Sequence, residues 1–234
     1  MEIVYYCNPV ENLSNVDIHQ YLSQCDPSRV EGRTMVYEGR IYAIPYSTIT
    51  VQGVKIQGLR ENEARLELLN SIIEEQSTGR DSYLDIGCNL GVFVKYFSDK
   101  FSTVTGIDSD PYYNSQAKFL FKGLKDRFLL QNLNNTSLSE LFPEPIDVIT
   151  ALSMIEYILD RAKFIRDIYS LTKEVFILEG HSEDIKLGHD KTYEALLRDH
   201  DWKVTRHAST TDVGINAPMD TVKDGRPLWV CKKP

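Results

Sequence analysis

Three short stretches of this 234-residue chain hold residue types able to do chemistry. The first is Asp85-x-Gly87-x-x-x-Gly91, inside the run YLDIGCNLG at 83–91. Glycines at that spacing let the backbone bend sharply or press close to a ligand, because they lack a Cβ. Asp85 can face a bound cation or hydroxyl. A helix starting after Gly91 would offer its free N–H groups to a carboxylate or phosphate. The second stretch ends in Asp108, about 20 residues past the glycine turn, where an acid accepts hydrogen bonds from ribose hydroxyls. Turn and acid together predict an adenosine-type ligand. The third is Glu179-Gly180-His181, a carboxylate and an imidazole able to supply a general base near neutral pH.

These residues need elements to hold them. Tyr83, Leu84 and Ile86 read as a strand running into the glycine turn, and Val92–Phe97 as the helix after it. Phe101–Ile107 reads as the next strand, ending at Asp108. Ser109-Asp110-Pro111 then opens a helix to about Lys122, with Asp110 as cap and Pro111 in the first turn. Arg127–Gln131, Ile146–Leu152 and Glu174–Leu178 read as further strands, and Asp160–Thr172 as an amphipathic helix. Asp190–Asp199 is a last long helix. Trp202–Arg206 and Pro227–Lys232 are closing strands on either side of a polar loop over 210–224. Upstream, Glu61–Gln76 is an amphipathic helix with Ala64, Leu66, Leu68, Leu69, Ile72 and Ile73 on its apolar positions. Val16–Gln24 reads as a short helix. Arg33–Tyr37, Arg40–Ile44, Thr48–Val51 and Val54–Ile56 read as short strands with turns at Glu38-Gly39 and Gln52-Gly53.

The form D-x-G-x-x-x-G, followed by a strand ending in Asp108, resembles motif I and the acidic loop of the class I S-adenosylmethionine (SAM)-dependent methyltransferases. Asn89 stands where that family usually has a third glycine, and asparagine also tolerates left-handed conformations. The resemblance covers about Arg60 to Pro234. It implies an α/β, Rossmann-like class I methyltransferase fold: a seven-stranded mixed sheet with an antiparallel last strand over 60–234. Residues 1–59 fall outside it as a small N-terminal β-rich appendage, serving as lid, dimerisation element or packing. The implied cofactor is SAM, with S-adenosylhomocysteine as its product. Its expected contacts are Asp85, Gly87, Cys88, Asn89, Gly91, Asp108, Ser109, Asn132, Leu133, Ser153, Met154 and Arg60. Within that set Asn132 suits the adenine edge, Ser153 and Met154 flank the methionine arm, and Arg60 meets the methionine carboxylate. Cys88 reads as a small residue packed beneath the ligand, with no His beside it in sequence. Asp110-Pro111-Tyr112 superficially matches the signature of amino-group methyltransferases. It lacks the second proline and follows the wrong strand.

Composition bounds the rest. The net charge of -8 argues against a broad phosphate-binding surface, so a nucleic-acid partner is not expected. No apolar run is long enough to span a membrane, and the first residues lack a signal-peptide pattern. Cys7, Cys25, Cys88 and Cys231 are scattered, which fits reduced thiols in a cytoplasmic protein. His181, His189, His200 and His207 match no metal-ligand spacing, so no metal is expected. The expected activity is O-methylation of a small biosynthetic intermediate such as a sugar or nucleotide-sugar, with His181 and Glu179 as catalytic residues; a homodimer is compatible with this. One rival is an RNA or tRNA methyltransferase, which would need basic surface near Arg33, Arg40, Lys55 and Arg60. Another is a catalytically silent SAM-fold partner subunit.

Overall fold

The computed structural model describes residues 17–30, 32–51, 54–181, 184, 187–208 and 226–234. The polar loop expected over 210–224 and the Gln52-Gly53 turn lie outside these residues.

A short helix α1 (Ile18–Ser23) is capped by Asp17, whose side chain accepts from the Gln20 N–H. A 3-10 turn (Pro27–Val30) follows. The four expected short strands form two separate hairpins. β1 (Thr34–Tyr37) pairs antiparallel with β2 (Arg40–Ala43), and β3 (Ile49–Val51) pairs with β4 (Val54–Ile56). The first hairpin turns through Glu38 and Gly39, both with positive φ, the backbone that a tight twisted hairpin requires. On it Val36 and Ile41 are cross-strand partners and both are exposed.

The main sheet has seven strands. In chain order they are β5 (Ser82–Ile86), β6 (Thr103–Asp108), β7 (Phe128–Leu130), β8 (Ile146–Leu152), β9 (Thr172–Glu179), β10 (Lys203–Ala208) and β11 (Pro227–Lys232). Their spatial order is β10-β11-β9-β8-β5-β6-β7. Strands β5 to β9 pair in parallel, while β11 lies antiparallel to both β9 and β10. This is the mixed sheet anticipated from the sequence.

Helices cover both faces, and residue alternation sorts side chains between them. Tyr83, Val148, Val175, Ile177, Leu228 and Val230 pack on one face. Helices α2 (Glu63–Gln76), α3 (Val92–Phe97) and α4 (Pro111–Leu120) lie there. Leu84, Ile149, Phe176, Leu178, Trp229 and Cys231 pack on the other. That face is covered by α5 (Leu138–Leu141), α6 (Arg161–Leu171) and α7 (His189–Arg198). A strand buried on both faces reads as an unbroken apolar run, which is why all of IDVITAL is buried.

Two local readings change. Ala64 is exposed, and the buried stripe of α2 instead runs Arg65, Leu66, Leu69, Ile72 and Ile73. Strand β9 begins at Thr172, directly after α6, without the expected linker, because Thr172 returns its hydroxyl to the Ile168 carbonyl and caps the helix as the strand starts. No helix among the described residues is long and apolar enough to cross a membrane.

Candidate active site

Neighbouring β5 and β8 sit where the strand order reverses: the chain runs outward one way through β6 and β7 and the other way through β9. Open parallel sheets bind ligands outside the carboxyl ends of the strands at such a point. A cavity of about 530 Å³ opens there. It is lined by all the expected cofactor contacts except Gly91, together with His181.

The glycine turn is built from alternating left-handed residues, Gly87 at φ 76°, Asn89 at φ 48° and Gly91 at φ 75°. Asn89 takes the conformation that a third glycine would supply, and its side-chain oxygen accepts the Leu90 N–H at 2.8 Å. A Cβ on Gly91 would lie 2.3 Å from the Phe128 ring, and one on Gly87 would lie 2.9 Å from Met154. Both positions therefore require glycine for space as well as for backbone. Gly91 keeps the turn's shape beneath the cavity, which accounts for its absence from the lining.

Asp108 locks that turn to β6. Its two carboxylate oxygens accept the Asn89 N–H at 2.7 Å and the Asp110 N–H at 2.8 Å. Burial raises its carboxyl above the usual range, against the lowering effect of these backbone bonds. Each oxygen has a second lone pair for a ribose hydroxyl. Cys88 is buried, and burial pushes its thiol well up, so it sits beneath the cavity as a neutral packing group. Asn132 gives its side-chain oxygen to the Asn134 N–H at 3.0 Å, which leaves its amide nitrogen for a ligand. Asn134 in turn staples the loop to the backbone of Tyr157 and Leu159 at 3.0 and 2.9 Å.

Asp85 is 2 % exposed. Its Oδ1 accepts from the Thr150 hydroxyl at 2.8 Å, and that hydroxyl is bonded to the Tyr83 hydroxyl at 2.8 Å. Its Oδ2 is buried with no hydrogen-bond partner. An orphaned carboxylate oxygen in a cavity wall is a costly feature that a bound cationic group would satisfy. Burial pushes its carboxyl up to about 7, against lowering by Thr150 and Arg65. The glycine cradle, the ribose-directed acid and this orphaned oxygen are what a ligand with an adenosine and an amino-acid ammonium needs.

Ser153 is a hub. It sits at φ 54°, a conformation rare without glycine. Its N–H donates to the Glu179 carbonyl at 2.8 Å, and its hydroxyl donates to Glu179 Oε1 at 2.7 Å. Its hydroxyl also accepts from Arg226. Its carbonyl lies 3.0 Å from His181 Nε2. Glu179 is 2 % exposed, with Arg65 at 2.7 Å and Arg226 at 3.6 Å. Glu179, expected as a catalytic residue, is not among the residues that line the cavity. Its Oε1 is engaged by two guanidiniums and a hydroxyl, which makes it an anchor.

His181 does stand on the cavity wall. Its Nε2 is 3.0 Å from Glu156 Oε1 as well as from the Ser153 carbonyl. The hydrogen bond to the Ser153 carbonyl assigns the proton to Nε2 and leaves the Nδ1 lone pair to accept a proton. The carboxylate beside this imidazole is thus Glu156, from the turn after β8, and not Glu179. His189 and His200 are used elsewhere, on Asp184 and the Leu196 carbonyl, and His207 lies in β10. Among the described residues no three His, Cys, Asp or Glu side chains cluster as metal ligands.

Arg29, Tyr46, Arg65, Tyr113, Tyr157 and Arg226 also line the cavity, and none was singled out as a site residue from sequence. Arg65 left one signal: it falls four residues before Leu69 on the buried stripe of α2.

Comparison with known proteins agrees with this geometry. Residues 84–174 match the family model of a methyltransferase domain. Over 107 residues the chain is 32% identical to a ubiquinone biosynthesis O-methyltransferase of Pseudomonas entomophila, covering 45% of each chain. The match thus spans about half the length of that relative. An S-adenosylmethionine-dependent methyltransferase from Clostridium acetobutylicum superposes with TM-score 0.55 at 15% identity, over 73% of this chain and 90% of that one. The N-methyltransferase NodS from Bradyrhizobium japonicum, solved with S-adenosyl-l-homocysteine, superposes with TM-score 0.55 at 14% identity, over 73% and 86%.

Proposed function

We propose that this chain, a member of the class I SAM-dependent methyltransferases, methylates a hydroxyl oxygen of a small molecule. The observation that carries the reading is one cavity that joins the Gly87–Gly91 turn and Asp108 to a His181–Glu156 pair. When bound, SAM supplies an electrophilic methyl group and leaves as S-adenosylhomocysteine. Asp108 and the Asn132 amide suit the adenosine, and Asp85 suits the ammonium. Arg60 lies on the same wall and suits the methionine carboxylate.

The rest is positioning and proton removal. His181 Nδ1 takes the hydroxyl proton as the new bond to oxygen forms; the Ser153 carbonyl accepts the Nε2–H, and the Glu156 carboxylate, 3.0 Å from Nε2, steadies the resulting imidazolium by its charge. The N-terminal stretch serves as part of the acceptor wall, since Arg29, Tyr46 and Ser47 line the cavity. The relative named as an O-methyltransferase favours oxygen as acceptor atom. A sugar or nucleotide-sugar is the finer reading from sequence, and the cavity's tyrosines and arginines bear on it below.

The test is calorimetric titration with S-adenosylhomocysteine. Wild type is expected to bind in the micromolar range, and Asp108→Ala to lose at least tenfold. A folded wild type that does not bind refutes the reading. A second reading, a silent partner-binding subunit, draws on the exposed Val36–Ile41 pair. Binding without transfer to any acceptor would select it.

A further inference from the structure

One wall of the cavity is a ladder of alternating charge and ring. The Arg60 guanidinium lies 6.0 Å from the Tyr46 ring centre. Tyr46 and Tyr113 are 5.4 Å apart, tilted at 58°. Arg29 lies 5.6 Å from the Tyr113 ring centre, and its Nη1 is 2.7 Å from Asp110 Oδ2. All of these residues line the same cavity.

The ladder is drawn from distant parts of the chain. Arg29 comes from the 3-10 turn, Tyr46 from the link between hairpins, Arg60 from the approach to α2, and Tyr113 from α4. Its geometry is held from outside. The Tyr112 hydroxyl accepts the Asp26 N–H at 2.9 Å, and the Gln116 amide donates to the Gln24 carbonyl at 3.0 Å. The wall is therefore fixed before any acceptor arrives.

Tilted tyrosine faces suit a planar ring, which stacks or meets them edge-on. A guanidinium has five donors in a planar fork, and Asp110 occupies one side of the Arg29 fork. The remaining donors suit a carboxylate or phosphate. Asp85, Asp108 and Asp110 share this cavity with Arg29, Arg60, Arg65 and Arg226, and Arg65 and Arg226 are engaged by Glu179. Arg29 is therefore the guanidinium placed beside the tyrosine rings to meet an anion.

We propose that the methyl acceptor is a planar ring compound that carries an anionic group besides its hydroxyl. The ring lies against Tyr46 and Tyr113, and the anion is held by Arg29. The proposal rests on the methyl-transfer reading and narrows its substrate class. It disfavours a neutral sugar. The same chemistry is presented by a hydroxylated aromatic carboxylate and by a nucleotide phosphate.

The experiment uses the full chain saturated with S-adenosylhomocysteine, then with labelled SAM. Two matched pairs serve as probes: 3,4-dihydroxybenzoate against its methyl ester, and uridine monophosphate against uridine. Binding is read by calorimetry and transfer by label. At least one charged member is expected to bind at least tenfold tighter than its neutral partner, and the pair that does so identifies the source. Arg29→Gln is expected to erase that ratio, and Arg29→Lys to restore part of it. Equal binding within both pairs, no binding of either charged member at millimolar concentration, or an Arg29→Gln effect equal on the charged and neutral members of the discriminating pair overturns the proposal. Failure of S-adenosylhomocysteine itself to bind is a separate result: it removes the methyl-transfer reading, and this proposal with it.

Discussion

Removing the Glu179 carboxylate should cost this protein more stability than most single changes, and the reason can be worked from its contacts. The side chain is 3% exposed and meets Arg65 and Arg226, themselves 10% and 9% exposed, while also accepting the Ser153 hydroxyl. Glu179→Ala takes the shared carboxylate away from two buried guanidiniums. Breaking a buried ion set from one side costs about 3–5 kcal/mol. Globular domains are stable by only about 5–15 kcal/mol, so this is roughly a fifth or more of the whole. At roughly 2–4 °C per kcal/mol for a chain of this size, Tm should fall by roughly 6–20 °C. Glu179→Gln keeps shape and an acceptor oxygen but loses the charge, and should cost about 1–3 kcal/mol. The assay is equilibrium urea unfolding of the three proteins, paired with S-adenosylhomocysteine titration. Both variants should also bind that ligand more weakly, because Ser153 and Met154 lose their anchor. If Glu179→Ala unfolds within about 1 kcal/mol of wild type, the two arginines do not depend on the carboxylate and the argument fails.

Two further outcomes follow from the same site. Asp85 has a folded-state carboxyl pushed up to about 7, above its unfolded value, so the folded state holds its proton more tightly. The sign is a penalty: absent below about pH 4, it grows as pH rises to about 7 and then levels, at roughly 4 kcal/mol at most. Asp85→Asn should therefore gain stability over wild type increasingly between pH 4 and 7 while losing cofactor affinity, read by urea unfolding across pH; a gain that is flat with pH refutes it. His181→Ala should lower turnover about 10²–10⁴-fold with S-adenosylhomocysteine affinity held, whereas an equal loss of both would make His181 a binding residue.

Much of the cofactor half was legible because its signals are local. Gly87, Gly91 and the strand ending in Asp108 announce themselves within a few residues, and so do the caps Asp110 and Asp160, whose side chains accept the Tyr112 and Lys163 N–H groups. Unbroken apolar runs marked the central strands. The acceptor half was not legible, because its contacts join distant residues. Arg65 meets Glu179 across 114 positions and Arg226 meets Ser153 across 73. Glu179 and His181, two positions apart in sequence, suggested a pair, yet the strand ends at Glu179 and His181 lies beyond it, so strand spacing does not hold the two side chains together. Glu156, 25 residues away, took the partner's place. The alternating character of the glycine turn was hidden for a different reason, since only coordinates show Asn89 in the left-handed region.

The ladder wall and the glycine turn share one cavity, yet the family-model match covers them unequally. Residues 84–174 carry the turn, Asp108, Asn132 and Ser153, and the ladder's Asp110 and Tyr113. Arg29, Tyr46, Arg60, Arg65, His181 and Arg226 fall outside that stretch. A likeness confined to it therefore speaks to the cavity's glycine floor, and most of the facing wall has to be read from its own residues.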